Sequence, residues 1–253
     1  MIKTYYRPTT LSEALVHLSN PDTLPLGGGT VVNSPDLRSR EIMVVDLQAL
    51  ELTHIHKHGN NLEIEACVTL QQLLENEHTP EALNTAIYLE APLNIRNMGT
   101  VAGSLIACDG RSPFATAMLA LDAKVTVIGD QSAVYSLGGL LPIRGEHLRG
   151  KLITKVTIPL NAKLAYEYVA RTPVDKPIVC ATLAQWPSGR TRLALGGWGS
   201  SPTLAMDGNE SGGVEDAARN ATHEATDDWA SAEYRVDIAA TLSRRCLEYC
   251  SQK

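Results

Sequence analysis

The chain has 253 residues, 44% of them hydrophobic and 20% charged, enough for a substantial core divided into two or three compact units. Its net charge of −6, with no basic run to offset it, argues against nucleic acid as a partner. No stretch of about 18 apolar residues is present to cross a membrane, and Met1-Ile2-Lys3-Thr4-Tyr5 enters a strand-like pattern without a signal peptide's apolar core, so the cytoplasm is expected.

In chain order, Thr10 to Leu18 reads as a first helix. Leu11, Ala14, Leu15 and Leu18 fall at i, i+3, i+4 and i+7, with Thr10 or Ser12 as the cap. Pro25-Leu26 leads into a triple-glycine turn, and Ile42 to Leu47 has the continuous apolar pattern of a buried strand. Leu52 to Thr69 reads as two strands around the hairpin signal Gly59-Asn60-Asn61. Leu70 to Glu75, Pro80 to Glu90 and Pro113 to Leu121 read as helices, the last with Phe114, Ala117, Met118 and Leu121 on one face and Pro113 in its first turn. Lys124 to Ile128 and Leu152 to Ile158 follow as strands. Ala165 to Arg171, Val179 to Trp186 and Thr191 to Gly197 make three antiparallel strands, with Ser188-Gly189 as a turn. Gly208 to Gly213 is a polar loop, and Asp228 to Cys250 is a long helix lined on one side by Ala232, Val236, Ala239, Leu242 and Cys246.

Cys67, Cys108, Cys180, Cys246 and Cys250 are an odd, scattered set that reads as free thiols, and no CxxC or four-cysteine pattern offers an iron–sulfur site. His54, His56 and His58 alternate along a strand. They spread over roughly 13 Å, too far apart for one metal, and a hydrated hairpin flank is the better reading. No metal site and no nucleophile–base arrangement is expected.

Two short segments carry the chemistry. In Leu26-Gly27-Gly28-Gly29-Thr30-Val31, glycine permits close approach of main-chain N–H groups to phosphate oxygens, and the threonine adds a hydroxyl. The spacing is neither a Rossmann fingerprint nor a Walker loop, so a tight turn is the alternative. Thr100-Val101-Ala102-Gly103-Ser104 reads as a second small-residue loop, with a strand-to-helix connection as its alternative.

Together with Tyr6-Arg7-Pro8-Thr9-Thr10, Val44-Val45-Asp46-Leu47, Ile95-Arg96-Asn97-Met98-Gly99, Leu193-Ala194-Leu195-Gly196-Gly197 and Ala232-Glu233-Tyr234-Arg235, these segments resemble the FAD-binding subunit of the molybdenum hydroxylases, over nearly the whole chain. The family includes the CO dehydrogenase medium subunit and the flavin domain of xanthine dehydrogenase. The resemblance implies an α+β fold with a PCMH-like two-part FAD-binding domain, followed by a C-terminal antiparallel sheet with helices. The expected divisions are a βαβ-like part at 1–50, a second FAD-binding part at 51–159 and a C-terminal domain at 160–253.

It also implies non-covalent FAD, with Leu26, Gly27, Gly28, Gly29, Thr30 and Val31 around the pyrophosphate and Asn33 continuing that loop. Thr100, Gly103 and Ser104 become donors to phosphate and ribityl oxygens, and Asp109 an acceptor for sugar or ribityl hydroxyls or simply a turn cap. Ile153 and Lys176 become neighbours of the flavin ring, beside a loop at 171–176. Ile153 reads equally as core, and Asp175 with Lys176 equally as a solvated pair. Two departures stand out. Ala102 replaces a usual glycine, which requires it to keep negative φ, and Pro113 stands where many relatives carry an aspartate.

By the same resemblance, the molybdenum cofactor and [2Fe–2S] centres belong to large and small partner subunits. Electrons would pass from the [2Fe–2S] centres to FAD and on to a soluble acceptor. A flavin-free structural or assembly subunit is the alternative, and a self-contained flavin oxidase a more distant one.

Overall fold

The protein is described by a computed structural model covering residues 2–32 and 41–252. It forms two compact units whose segments alternate along the chain. The first takes 1–76, 93–107 and 124–157, and the second 77–92, 108–123 and 158–253.

In the first unit, β1 (Ile2–Tyr6), β2 (Thr23–Leu26) and β3 (Ile42–Asp46) form a parallel sheet in the order β1-β3-β2. Helix α1 (Leu11–Leu18) begins at Thr10, whose hydroxyl accepts the Glu13 N–H. Its Ala14 and Leu18 pack against Val45 and Leu47 on one sheet face. A second sheet has the order β4-β5-β8-β6-β7, from Ile55–His58, Asn61–Glu65, Leu152–Pro159, Lys124–Ile128 and Ser132–Ser136 respectively. Gly59, at φ +59°, makes the expected β4–β5 turn.

Short helices complete the unit. They are α2 (Leu70–Glu75), α4 (Leu93–Arg96), α5 (Val101–Ala107), α7 (Leu137–Leu140) and α8 (Arg144–His147), with α3 (Glu81–Glu90) and α6 (Pro113–Ala120) belonging to the second unit. The stretch 101–104, expected as a loop, is therefore the opening of a helix. Ala102 lies inside it with negative φ, so its methyl costs no strain.

The second unit is built on an antiparallel sheet in the order β12-β11-β10-β9, from Thr203–Gly208, Thr191–Gly196, Val179–Gln185 and Lys163–Val169. Three of these strands were expected; the edge strand β12, paired on one side alone, was not. Helix α9 (Val214–Thr222) was also missed, and α10 (Ala232–Ser251) starts later than expected.

Val179, Ala181 and Leu183 face α9 and α10, whereas Cys180 meets Thr116 of α6 on the other face. Both faces of β10 are thus covered, which explains its unbroken buried run. All eight residues of α6 are buried, not one face of it. The five cysteines are free thiols. Burial pushes Cys67, Cys180 and Cys250 up to about 11 and Cys246 upward as well, so these thiols stay protonated packing groups. No described helix is long and apolar enough to cross a membrane.

Candidate functional site

Within the first unit, β2 ends at Leu26 and the chain turns through Gly27, Gly28 and Gly29, the last at φ +72°, a conformation that favours glycine. What the glycines make room for is the second segment. A Cβ on Gly28 would fall on the Met98 carbonyl oxygen, and one on Gly27 would lie 3.1 Å from the Thr100 side chain. The second segment is itself fixed by 66–70. Leu70 N–H donates to Gly99 O (2.9 Å), Val101 N–H to Val68 O (2.8 Å) and Ala102 N–H to Ala66 O (3.3 Å). The two segments expected to act together therefore lie against each other, backbone to backbone.

Their donors are spent differently. At the start of α5, Val101 and Ala102 donate as just described, Gly103 N–H donates to Thr100 Oγ1 (3.1 Å) and Ser104 N–H to Thr100 O (2.8 Å). All four first-turn N–H groups are satisfied within the protein, which leaves hydroxyls as this segment's donors. By contrast, among the described residues the Gly27 and Gly28 N–H groups have no protein acceptor. Both glycines are partly open to solvent, Thr30 also, and Val31 is exposed. Asn33 lies outside the described residues. Ile153 is buried in the five-stranded sheet opposite Val127, surroundings of a core residue.

Beside this cradle is a cluster absent from the expected site. Asp46 ends β3 directly opposite Leu26, and its carboxylate is 3% exposed. It accepts from the Tyr5 hydroxyl and from Gln48 N–H (2.9 Å), and Arg7 Nε stands 3.7 Å from Oδ2. The hydrogen bond to Asp46 raises the Tyr5 hydroxyl above its ordinary pKa, helped by burial and by the Asp46 charge and opposed by the Arg7 charge. Arg7 and Asp46 both lie in segments that carry the family resemblance; the signal that could have singled them out is their position at strand ends.

The second unit holds Asp109 and Lys176. Asp109 Oδ1 caps its own turn by accepting Arg111 N–H (2.9 Å), the plainer of its two expected roles. Lys176 pairs with Glu90 (3.5 Å) and Asp109 (3.7 Å), not as a solvated pair with Asp175. Glu90 was not anticipated. Its Oε2 accepts from Ser112 Oγ (2.6 Å) and Phe114 N–H (3.2 Å) at the start of α6, where Pro113 occupies the first helical position.

Arg111 donates to Lys176 O (2.7 Å) and Pro177 O (3.2 Å), and its guanidinium lies 4.0 Å from the Trp229 ring centre, with Arg171 at 4.9 Å. Beneath them Arg235 is fully buried, donating to Ile178 O (3.3 Å), Gly197 O (3.3 Å) and Asp227 Oδ1 (2.8 Å). Gly197 N–H in turn donates to Gly110 O (2.7 Å), tying Asp109 and Arg111 to this buried cation. Burial would raise the Asp227 carboxyl. The Arg235, Trp229 and Ala230 hydrogen bonds and the Arg235 charge outweigh it and hold the group below its usual range.

Residues 1–161 match the family described as the FAD binding domain in molybdopterin dehydrogenase. The chain is 26% identical over 262 residues to an uncharacterized protein of Escherichia coli K12, YgfM, covering all of this chain and 98% of that one. It is 27% identical over 221 residues to the glyceraldehyde dehydrogenase medium chain of Sulfolobus acidocaldarius, covering 80% and 78%. Its fold superposes on a chain of reconstituted CO dehydrogenase from Oligotropha carboxidovorans with TM-score 0.82, at 24% identity over 98% of this chain and 96% of that one.

Proposed function

Because the chain belongs to the family of FAD-binding domains of molybdopterin dehydrogenases, we propose that it is the FAD-carrying, electron-transferring subunit of a molybdenum-containing hydroxylase or dehydrogenase. The observation that carries this reading is the cradle at Gly27 and Gly28, whose N–H groups have no acceptor among the described residues, inside the stretch 1–161 that matches the family. Unspent main-chain donors at a tight turn suit a diphosphate.

On this reading 1–50 and 51–159 are the two FAD-binding parts and 160–253 the C-terminal domain. Gly27 and Gly28 hold the diphosphate, and the Thr30, Thr100 and Ser104 hydroxyls add donors. FAD, held non-covalently, supplies the redox chemistry. The chain's own residues bind and orient it. Electrons arrive from [2Fe–2S] centres on a small partner subunit and leave to a soluble acceptor, while the molybdenum cofactor sits on a large subunit. A relative whose name marks it as a medium chain supports such a division of labour, and the cytoplasm is its place.

A flavin-free assembly subunit is the second reading, favoured by the fully satisfied N–H groups of α5. The visible spectrum of the purified chain decides between them. Oxidised-flavin bands, with FAD released on heating, uphold the first. A chain that stays colourless after incubation with excess FAD upholds the second.

A further inference from the structure

A diphosphate brings two negative charges to a chain of net charge −6, so the protein's overall field does not draw it in, and neutral N–H groups leave that charge uncompensated. A local cation is needed. In the first unit Arg96 is buried and its Nε donates to Gln71 (3.0 Å), while Lys3 pairs with Glu41 near the opposite, amino end of β1. Arg7 differs from both.

The parallel registers put it at the right edge. Tyr6 pairs with Val45 and Leu26 with Asp46, so Arg7 and Gly27 leave the carboxyl ends of β1 and β2 on either side of the end of β3. Two strand spacings separate their backbones, about 10 Å, a gap that an arginine side chain and a diphosphate span together. Ligands of open parallel sheets collect at this edge.

The side chain is also set for the task. Arg7 is 60% exposed and meets Asp46 through Nε, and among the described residues it has no other hydrogen-bond or ion-pair partner. Its two terminal amino groups, the fork that grips a phosphate, thus have no partner among the described residues. Asp46 is buried and held by the Tyr5 hydroxyl at Oδ2, the oxygen that Arg7 Nε faces, and by Gln48 N–H at Oδ1, so it fixes the stem of the guanidinium without blocking that fork.

We propose that Arg7, positioned by Asp46, is the cationic ligand of the dinucleotide's diphosphate and completes the cradle of Gly27 and Gly28. This rests on the FAD reading above and goes further, by naming the charge that the main-chain cradle lacks.

The test compares the full chain with Arg7→Gln and Arg7→Lys, using FAD and also ADP, which carries a diphosphate without a flavin. Arg7→Gln weakens both ligands about tenfold or more, and Arg7→Lys recovers part of the loss because it restores charge without the fork. Raising salt from about 50 to about 300 mM weakens FAD binding to the parent more than to Arg7→Gln. Melting temperatures close to the parent's show that the exposed substitutions leave the fold intact. Equal FAD and ADP affinities in parent and Arg7→Gln overturn the proposal. If the parent binds ADP in an Arg7-dependent way but not FAD, the diphosphate site stands and the FAD reading falls. If the parent binds neither ligand, both fall.

Discussion

The segments 26–31 and 98–104 are made of the same residue types and lie against each other, yet their main chains do opposite work. In the second, every first-turn N–H of α5 is consumed by Val68, Ala66 or Thr100. In the first, the Gly27 and Gly28 N–H groups have no acceptor among the described residues. Small residues are needed in both for close approach, but close approach to a neighbour and to a ligand are different uses. Donor accounting separates them where composition cannot.

The largest expected effect tests whether the two segments abut. Gly28→Ala places a methyl on the Met98 carbonyl, a backbone atom that cannot step aside, and should cost about 3 kcal/mol of stability in urea titration together with FAD binding. A variant as stable as the parent would mean that the segments are not packed this way.

Thr100→Ala comes next. It removes the hydroxyl that accepts Gly103 N–H, a helix cap worth about 1 to 2 kcal/mol. With Thr100 mainly a cap, FAD affinity measured by fluorescence titration should fall by less than about threefold, under 1 kcal/mol. A loss far beyond that would make Thr100 a principal ligand, not one donor among several, and narrow the contrast.

The smallest effect belongs to Ala102→Gly, which restores the glycine usual in the family. Since Ala102 sits inside a helix, stability should drop by about 0.5 to 1 kcal/mol with FAD affinity unchanged. Tighter binding in this variant would show that the methyl obstructs the cofactor.

Much of the fold was legible because burial writes itself into apolar patterns. The continuous run in β3, the periodicity of α1 and the Gly59 turn were all read from residues. Helix α5 was not, because Gly103 and Ser104 weigh toward a turn, while the cap at Thr100 and the docking on 66–70 that sustain the helix are tertiary. Edge strand β12 has no fully buried residue, unlike β9 at the other edge, and so carries a weaker apolar pattern. Within the candidate site, the glycines were visible as glycines, but Met98 meets Gly28 through a carbonyl, and a carbonyl leaves no trace in residue identity. Arg7 and Glu90 were missed for a related reason. Their meaning comes from Asp46 across the parallel sheet and from Ser112 at the start of α6, pairings that chain order does not display.

The alternation of the two units along the chain has a consequence for biosynthesis. The first unit is complete once residue 157 has been made, but the second draws on 77–92 and 108–123 and then waits for 158–253. Helix α6, buried on every side in the finished protein, is therefore synthesised well before the strands β10 and β11 that cover it. Arg235, which knots the loops around Gly197 and Ile178, emerges later still. On the ribosome the nascent chain carries an apolar helix before the sheet that covers it has been made, and that interval exposes a surface the finished protein hides.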